Sequence, residues 1–200
     1  MTTVVIGGHA RKVGKTSVAA GLIHAFRQYS WTAVKISSHW HEASLAEGTC
    51  VVYEEKSGGD DSDSARYLAA GAARSYWIRI RDGQIASALP EILPILRSSP
   101  FVIIESNSIL RYIQPDLSIL VLRCDVDDFK DSARETLRYA HAAITIACES
   151  ASPAWRDFVR ANLPEIPQFA APDPQILPDG LLAFVKSRLQ ISDFRFQIPD

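Results

Sequence analysis

The chain has 200 residues, 47% hydrophobic and 22% charged, which is enough apolar material for one sizeable core and far from the compositions of disordered, collagenous or disulfide-scaffold proteins. Its 21 basic and 23 acidic residues give a formal charge of -2, so there is no basic surplus to neutralise a nucleic-acid backbone or to hold the chain on anionic lipid. Any anionic ligand must be bound by local geometry, and neither a nucleic acid nor a membrane is an expected partner.

No stretch approaches the ~18 apolar residues of a membrane span, and the short apolar run after Met1 has neither the length nor the basic flank of a secretory leader. Cys50, Cys124 and Cys148 are widely spaced and form no C-x-x-C pair. They read as reduced, buried thiols of a cytoplasmic protein.

In chain order, Thr3 to Ile6 is an apolar run that opens as a buried strand. After a glycine-containing turn, Val18, Leu22, Ala25, Phe26 and Tyr29 recur at helical spacing, and Trp31 to Ile36 reads as a second strand. The pattern weakens from Ser37 to Ser62, a long loop in which Cys50 to Tyr53 is a candidate edge strand; loops of this length in compact domains are usually functional. A helix is expected from Asp63 to Ala70 with Gly71 ending it, then a strand from Ser75 to Arg81 and a turn at Asp82-Gly83. The next helix, Ile85 to Leu96, is expected to be interrupted by Pro90 and Pro94.

Two short apolar runs follow, Phe101 to Ile104 ending on Glu105, and Leu117 to Leu122, both with the character of central parallel strands. Beyond them come a helix from Asp128 to Tyr139, a strand from Ala143 to Ala147, a helix starting near Pro153 and Trp155, a linker at Asp173 to Pro178, and a last helix from Leu181 to Leu189. Strands alternating with helices predict an α/β fold with a doubly wound, mostly parallel sheet in three layers, α/β/α. Residues 1–190 are expected to form one domain and 191–200 a tail.

The stretch Ile6-Gly7-Gly8-His9-Ala10-Arg11-Lys12-Val13-Gly14-Lys15-Thr16-Ser17 carries the functional reading. A strand ends, a glycine-containing loop follows, and Gly-Lys-Thr opens a helix, which is the context a phosphate-binding loop requires. The first N–H groups of that helix lack intrahelical partners and the helix dipole is positive there, so phosphate oxygens can be wrapped without a positively charged protein. In this reading Gly8 begins the loop, Val13 and Gly14 give backbone contacts, Lys15 reaches the β- and γ-phosphates, and Ser17 meets the α-phosphate. The Thr16 hydroxyl coordinates Mg²⁺. The usual spacing puts a glycine where this chain has His9, so the loop is expected to be one residue longer than usual.

Arg11 and Lys12 lie inside the loop as candidate phosphate contacts, for the protein's own nucleotide or a partner subunit's, with simple exposure as the alternative. Lys35, ending the second strand, is a candidate for the γ-phosphate or a second substrate, or a surface lysine. Glu105 ends a strand on the side where such sheets place ligands, as a candidate for activating water or holding Mg²⁺. Asp60, Asp61 and Asp63 are candidate Mg²⁺ ligands, Asp63 being equally a helix N-cap. His39, His41 and Cys50 lack the paired spacing of a zinc site. No Asn-Lys-x-Asp guanine signature follows the late strand Ile144 to Ser150, leaving ATP and GTP both open.

The spacing Gly8-x5-Gly14-Lys15-Thr16 resembles dethiobiotin synthetase and its relatives in the SIMIBI group of P-loop proteins. Val34-Lys35-Ile36-Ser37-Ser38-His39 and the stretch Asp63 to Ala72 resemble segments of the MobB family, which binds GTP in molybdopterin-guanine dinucleotide biosynthesis. This resemblance, covering about the first 110 residues, implies a P-loop fold, a homodimer, and nucleoside triphosphate binding with slow hydrolysis; Lys15 and Glu105 are the catalytic candidates the residues themselves offer, and an adaptor reading adds a possible partner protein. Where that family has Glu-Gly after the corresponding strand, this chain has Glu105-Ser106-Asn107-Ser108, which is similar to the Glu-Ser segment of urease and hydrogenase metallochaperone GTPases. A ligase like dethiobiotin synthetase is a third reading, and it favours adenine.

Overall fold

A computed structural model of the chain describes residues 1–37, 50–59, 62–126, 128–148, 152–163 and 165–189. His39, His41, Asp60, Asp61 and the expected tail therefore lie outside the described residues. One sheet of eight strands runs through the molecule in the order β3-β4-β2-β5-β1-β6-β7-β8. Its strands are β1 (Thr2–Gly8), β2 (Trp31–Ser37), β3 (Cys50–Glu54), β4 (Arg74–Ile80), β5 (Phe101–Glu105), β6 (Leu117–Arg123), β7 (Ala142–Ile146) and β8 (Gln168–Ala171). All pair in parallel except β3, which lies antiparallel on β4 at one edge. The helices are α1 (Lys15–Ala25), α2 (Asp63–Ala69), α3 (Ile85–Arg97), α4 (Asp131–Thr136), α5 (Pro153–Asn162) and α6 (Asp179–Arg188).

Strand side chains alternate between the two faces, and the core divides accordingly. Val4, Ile6, Ile103 and Ile119 pack with Val18, Leu22, Ile23, Leu181 and Val185, placing α1 and α6 on one face. Val5, Val34, Val102 and Ile104 pack with Ile85, Ala88, Ile92 and Leu96, placing α3 on the other, where Leu120, Leu122 and Ala143 meet Trp155 and Leu163. The three-layer, doubly wound α/β architecture expected from the alternation of elements is the one observed.

Several local expectations are corrected. The buried side of α1 is Val18, Ala19, Leu22, Ile23 and Phe26, and Ala25 faces solvent. Helix α3 runs unbroken through Pro90 and Pro94. Both prolines sit on its exposed side, so the carbonyls they leave without a donor face water, while Ile85, Ala88, Ile92 and Leu96 hold the helix down. The helix expected from Asp128 starts at Asp131, and its last residues, Leu137–Tyr139, are a 3-10 turn. Strand β8, ahead of the expected linker, was not foreseen. The N-cap of α2 is Ser62, whose hydroxyl accepts from the Ala65 N–H, and Asp63 is the first helical residue with its side chain free for another role.

The thiol assignment is also overturned. Cys124 and Cys148 form a disulfide with Cα atoms 5.0 Å apart, leaving Cys50 as the free thiol. In the β6–β7 register Arg123 lies opposite Ile146, so two cysteines 24 residues apart in sequence leave neighbouring strand ends side by side.

Candidate functional site

Strand β1 lies between β5 and β6 near the middle of the sheet, and the loop after it turns into α1. Its first glycine is Gly8. A Cβ there would come within 2.8 Å of Val13 Cγ2 and 2.9 Å of Lys15 Cδ, so the absence of a side chain lets the lysine stem fold back over the loop. Gly14 caps α1 with φ 101, a conformation L side chains rarely adopt, and a Cβ there would meet Pro174 at 2.4 Å. Val18 N–H donates to Gly14 O at 3.0 Å, the first bond of the helix. The preceding N–H groups, through Ser17, belong to the turn that helix geometry leaves unpaired.

His9 stands where the usual spacing has a glycine. Its side chain is fully buried, the ring sitting 4.8 Å from Trp155 and 5.3 Å from Phe129, with Nε2 3.1 Å from Val126 O. Burial holds its pKa below the usual histidine value, so it is a neutral anchor tying the loop to the opposite layer. Its carbonyl also accepts from the Lys130 N–H at 2.9 Å. Arg11 and Lys12 are exposed, Lys12 with φ 58; neither is placed in a polar contact with the rest of the site.

Lys15 Nζ donates to Ala10 O at 2.8 Å. Burial pushes its pKa down from 10.5 to about 8, against the opposing pull of Glu105 and with help from the charges of Lys130 and Lys35. A buried ammonium resting on a single carbonyl, with two more lysines nearby, is a site charged for a polyanion.

Next to it three side chains, Thr16, Tyr67 and Lys35, converge on Glu105, which is 6% exposed. Thr16 Oγ1 donates to Glu105 Oε2 at 2.7 Å, and the Tyr67 hydroxyl donates to the same oxygen. Lys35 Nζ lies 3.2 Å from Oε1 and pairs with Asp63. Burial opposes ionisation of the Asp63 carboxyl, but the Lys35 ammonium, the Thr16 hydroxyl and the Arg66 charge keep its pKa low.

The register accounts for this. Lys35 and Ile6 flank Glu105 directly across β5, so Lys35 and Glu105 point to the same face of the sheet as α1. Tyr67 is fully buried; burial and then the Glu105 charge raise its pKa well above the usual phenol value, so it remains a proton donor. Arg66 donates to Ser17 Oγ at 2.9 Å and approaches Asp63, fastening α2 to the first turn of α1.

The structure thus brings together Lys15, Thr16, Lys35, Asp63 and Glu105. Thr16 hydroxyl and two carboxylates are the hard oxygen donors that suit Mg²⁺, whose remaining positions phosphates and water normally fill. No group of three or more His, Cys, Asp or Glu that could hold a metal occurs among the described residues, so Thr16 and phosphate would have to complete the set.

Sequence reasoning missed Tyr67 and Asn107. Asn107 Oδ1 accepts from the Gly8 N–H at 2.8 Å and its Nδ2 donates to Gly8 O at 2.9 Å, bracketing the loop's first residue. A Cβ on Gly7 would come within 2.8 Å of that Oδ1, which is why a second glycine precedes Gly8. The pairing was hinted at only by the polar residues after Glu105.

A loop of this form between a central parallel strand and a helix, with a buried carboxylate ending the adjacent strand, is the arrangement of the P-loop nucleoside triphosphate hydrolase fold. Solved structures sharing it include HypB, a hydrogenase maturation factor, from Archaeoglobus fulgidus, with TM-score 0.58, 13% identity and coverage of 94% of this chain and 90% of that one. HypB from Helicobacter pylori, solved in complex with nickel, superposes with TM-score 0.55 at 16% identity, covering 96% and 88%. A MobB protein homolog from Bacillus stearothermophilus aligns over 96% of this chain and 100% of its own at 15% identity, with TM-score 0.45. No family model and no curated protein matches the sequence.

Proposed function

We propose that the chain binds a Mg²⁺–nucleoside triphosphate at Gly8 to Ser17 and hydrolyses it slowly. The observation that carries this reading is the convergence of Lys15, Thr16, Asp63 and Glu105 at the N-terminus of α1. Backbone N–H groups of residues 13–17 and the α1 dipole receive the phosphates. Lys15 leaves Ala10 O for the β- and γ-phosphate oxygens. Thr16, Asp63 and Glu105 would hold Mg²⁺, which when bound would supply neutralisation of the phosphate charge. Glu105 Oε1 is the carboxylate oxygen not engaged by Thr16 or Tyr67, and through it Glu105 would meet the metal or a water bound to it. Such catalysis is positioning and charge stabilisation, and turnover well below ~1 s⁻¹ without a partner is expected.

Calorimetric titration of wild type and Lys15→Ala with Mg²⁺-ATP and Mg²⁺-GTP tests this. Loss of a charge-assisted bond to phosphate should weaken affinity about tenfold to a hundredfold; unchanged affinity in the variant would sink the assignment.

Two biological roles fit such a protein. The segments resembling the MobB family supply Lys35, Asp63 and Tyr67 to this site, which supports an adaptor in molybdenum cofactor biosynthesis, working as a cytoplasmic homodimer. The fold shared with HypB and the Glu105-Ser106 sequence support, comparably, a metallochaperone-type GTPase that acts with a partner protein. A preference for GTP combined with nucleotide-dependent binding of Ni²⁺ would favour the second role over the first.

A further inference from the structure

The ion network contains a feature that phosphate binding alone does not require. Lys35 Nζ sits between two carboxylates, Asp63 from the first turn of α2 and Glu105 from the end of β5. The Lys35 and Glu105 side chains are 19% and 6% exposed and that of Asp63 is 36% exposed, so the glutamate end of the arrangement is buried and the aspartate end meets solvent. Glu105 Oε2 already accepts from Thr16 and Tyr67; the oxygen open to a cation, Oε1, is the one that Lys35 holds. Two carboxylates left together in a poorly solvated site repel each other, and one ammonium between them removes most of that cost.

We propose that Lys35 is a built-in counter-cation that keeps Asp63 and Glu105 occupied until a polyphosphate gives it new acceptors, so that a divalent cation is admitted only together with nucleotide. The proposal rests on the reading of Asp63 and Glu105 as the metal-facing carboxylates. With Lys35 in place, a divalent cation at the same oxygens meets an ammonium at close range, and like charges in a desolvated site repel strongly. A bound triphosphate changes this balance. Its negative charge attracts Lys35 away from the carboxylates, whose oxygens then turn to the cation. Metal and nucleotide affinities become coupled, and the coupling must be reciprocal. A purely structural Lys35, fastening α2 to β5, would create no such coupling.

The test is titration of Mn²⁺, followed by the electron paramagnetic resonance of the free ion, into wild type, Lys35→Met and Lys35→Arg. Each protein is titrated without nucleotide and with a saturating non-hydrolysable triphosphate. Thermal unfolding on the same samples confirms that each is folded, and Lys35→Gln replaces Lys35→Met if the latter is not. Without nucleotide, removal of the ammonium should tighten Mn²⁺ binding about tenfold or more, whereas Lys35→Arg should bind as weakly as wild type. With triphosphate the advantage of the neutral variant should vanish.

Unchanged or weaker nucleotide-free Mn²⁺ binding by the folded neutral variant overturns the proposal. So does wild type binding Mn²⁺ as tightly without triphosphate as with it, a result that needs no variant. Failure of wild type to bind any nucleotide would instead overturn the phosphate-loop reading, which the Lys15→Ala titration examines separately.

Discussion

Raising the pH from about 7.5 to about 9 is expected to weaken binding of a Mg²⁺–triphosphate about eightfold, because Lys15 must be charged to bind phosphate. Its pKa in the ligand-free protein is about 8. The protonated fraction is therefore about three-quarters at the lower pH and about one-tenth at the higher, while a bound polyanion restores the ammonium. Binding at the higher pH must take up close to one proton, which calorimetry in buffers of different ionisation enthalpy measures directly. A lysine at its ordinary 10.5 would take up almost none. Proton uptake near zero at about pH 9, or an affinity flat across the range, would refute the argument that burial has made this ammonium dependent on its ligand.

The same shift acts on folding. Between about 8 and 10.5 the unfolded chain holds more proton on Lys15 than the folded one, so stability contributed through this group rises with pH across that window. The penalty carried below it is about 3 kcal/mol.

Tyr67→Phe removes a buried donor from Glu105 Oε2 and should destabilise the protein by about 1–3 kcal/mol, read as a lower unfolding midpoint, with turnover falling more than nucleotide affinity. Asn107→Ala leaves both backbone groups of Gly8 without their side-chain partner; a loss of about 1–2 kcal/mol in stability should accompany weaker nucleotide binding, both measurable by thermal shift with and without ligand. Thiol titration of the denatured, unreduced protein should find one reactive cysteine, Cys50, rather than three. Reduction of the Cys124–Cys148 bond, which closes a loop of sequence separation 24, should cost about 3 kcal/mol by chain entropy. Three reactive thiols, or no change in denaturation midpoint on reduction, would contradict the disulfide.

Sequence by itself determined the parts of this protein whose physical cause is local. The loop from Gly8 to Thr16 is contiguous, and the phosphate binding proposed for it depends on glycine conformations and helix-terminal N–H groups that adjacent residues dictate. Glu105 was legible because a carboxylate ending an otherwise apolar strand marks one end of a parallel sheet. Alternation of apolar runs with helical periods likewise gave the three layers. The expected break in α3 does not occur because both prolines lie on the side of the helix that meets water, which the sequence pattern alone does not reveal.

Tertiary structure alone decided which distant residues share the site. Tyr67 reads as one apolar residue of a short amphipathic helix, and only the docking of α2 on α1 aims its hydroxyl at Glu105. Asn107 reads as a loop residue, and only the β1–β5 pairing sets it against Gly8. Cys124 and Cys148 became partners because strands β6 and β7 are neighbours with a particular register. Of the two roles the sequence leaves open to Asp63, Mg²⁺ ligand or helix cap, the cap belongs to Ser62, which leaves the Asp63 carboxylate to pair with Lys35. Each of these contacts depends on strand order and on how helices settle against the sheet. Those are set by burial of the whole core and by no short stretch of sequence.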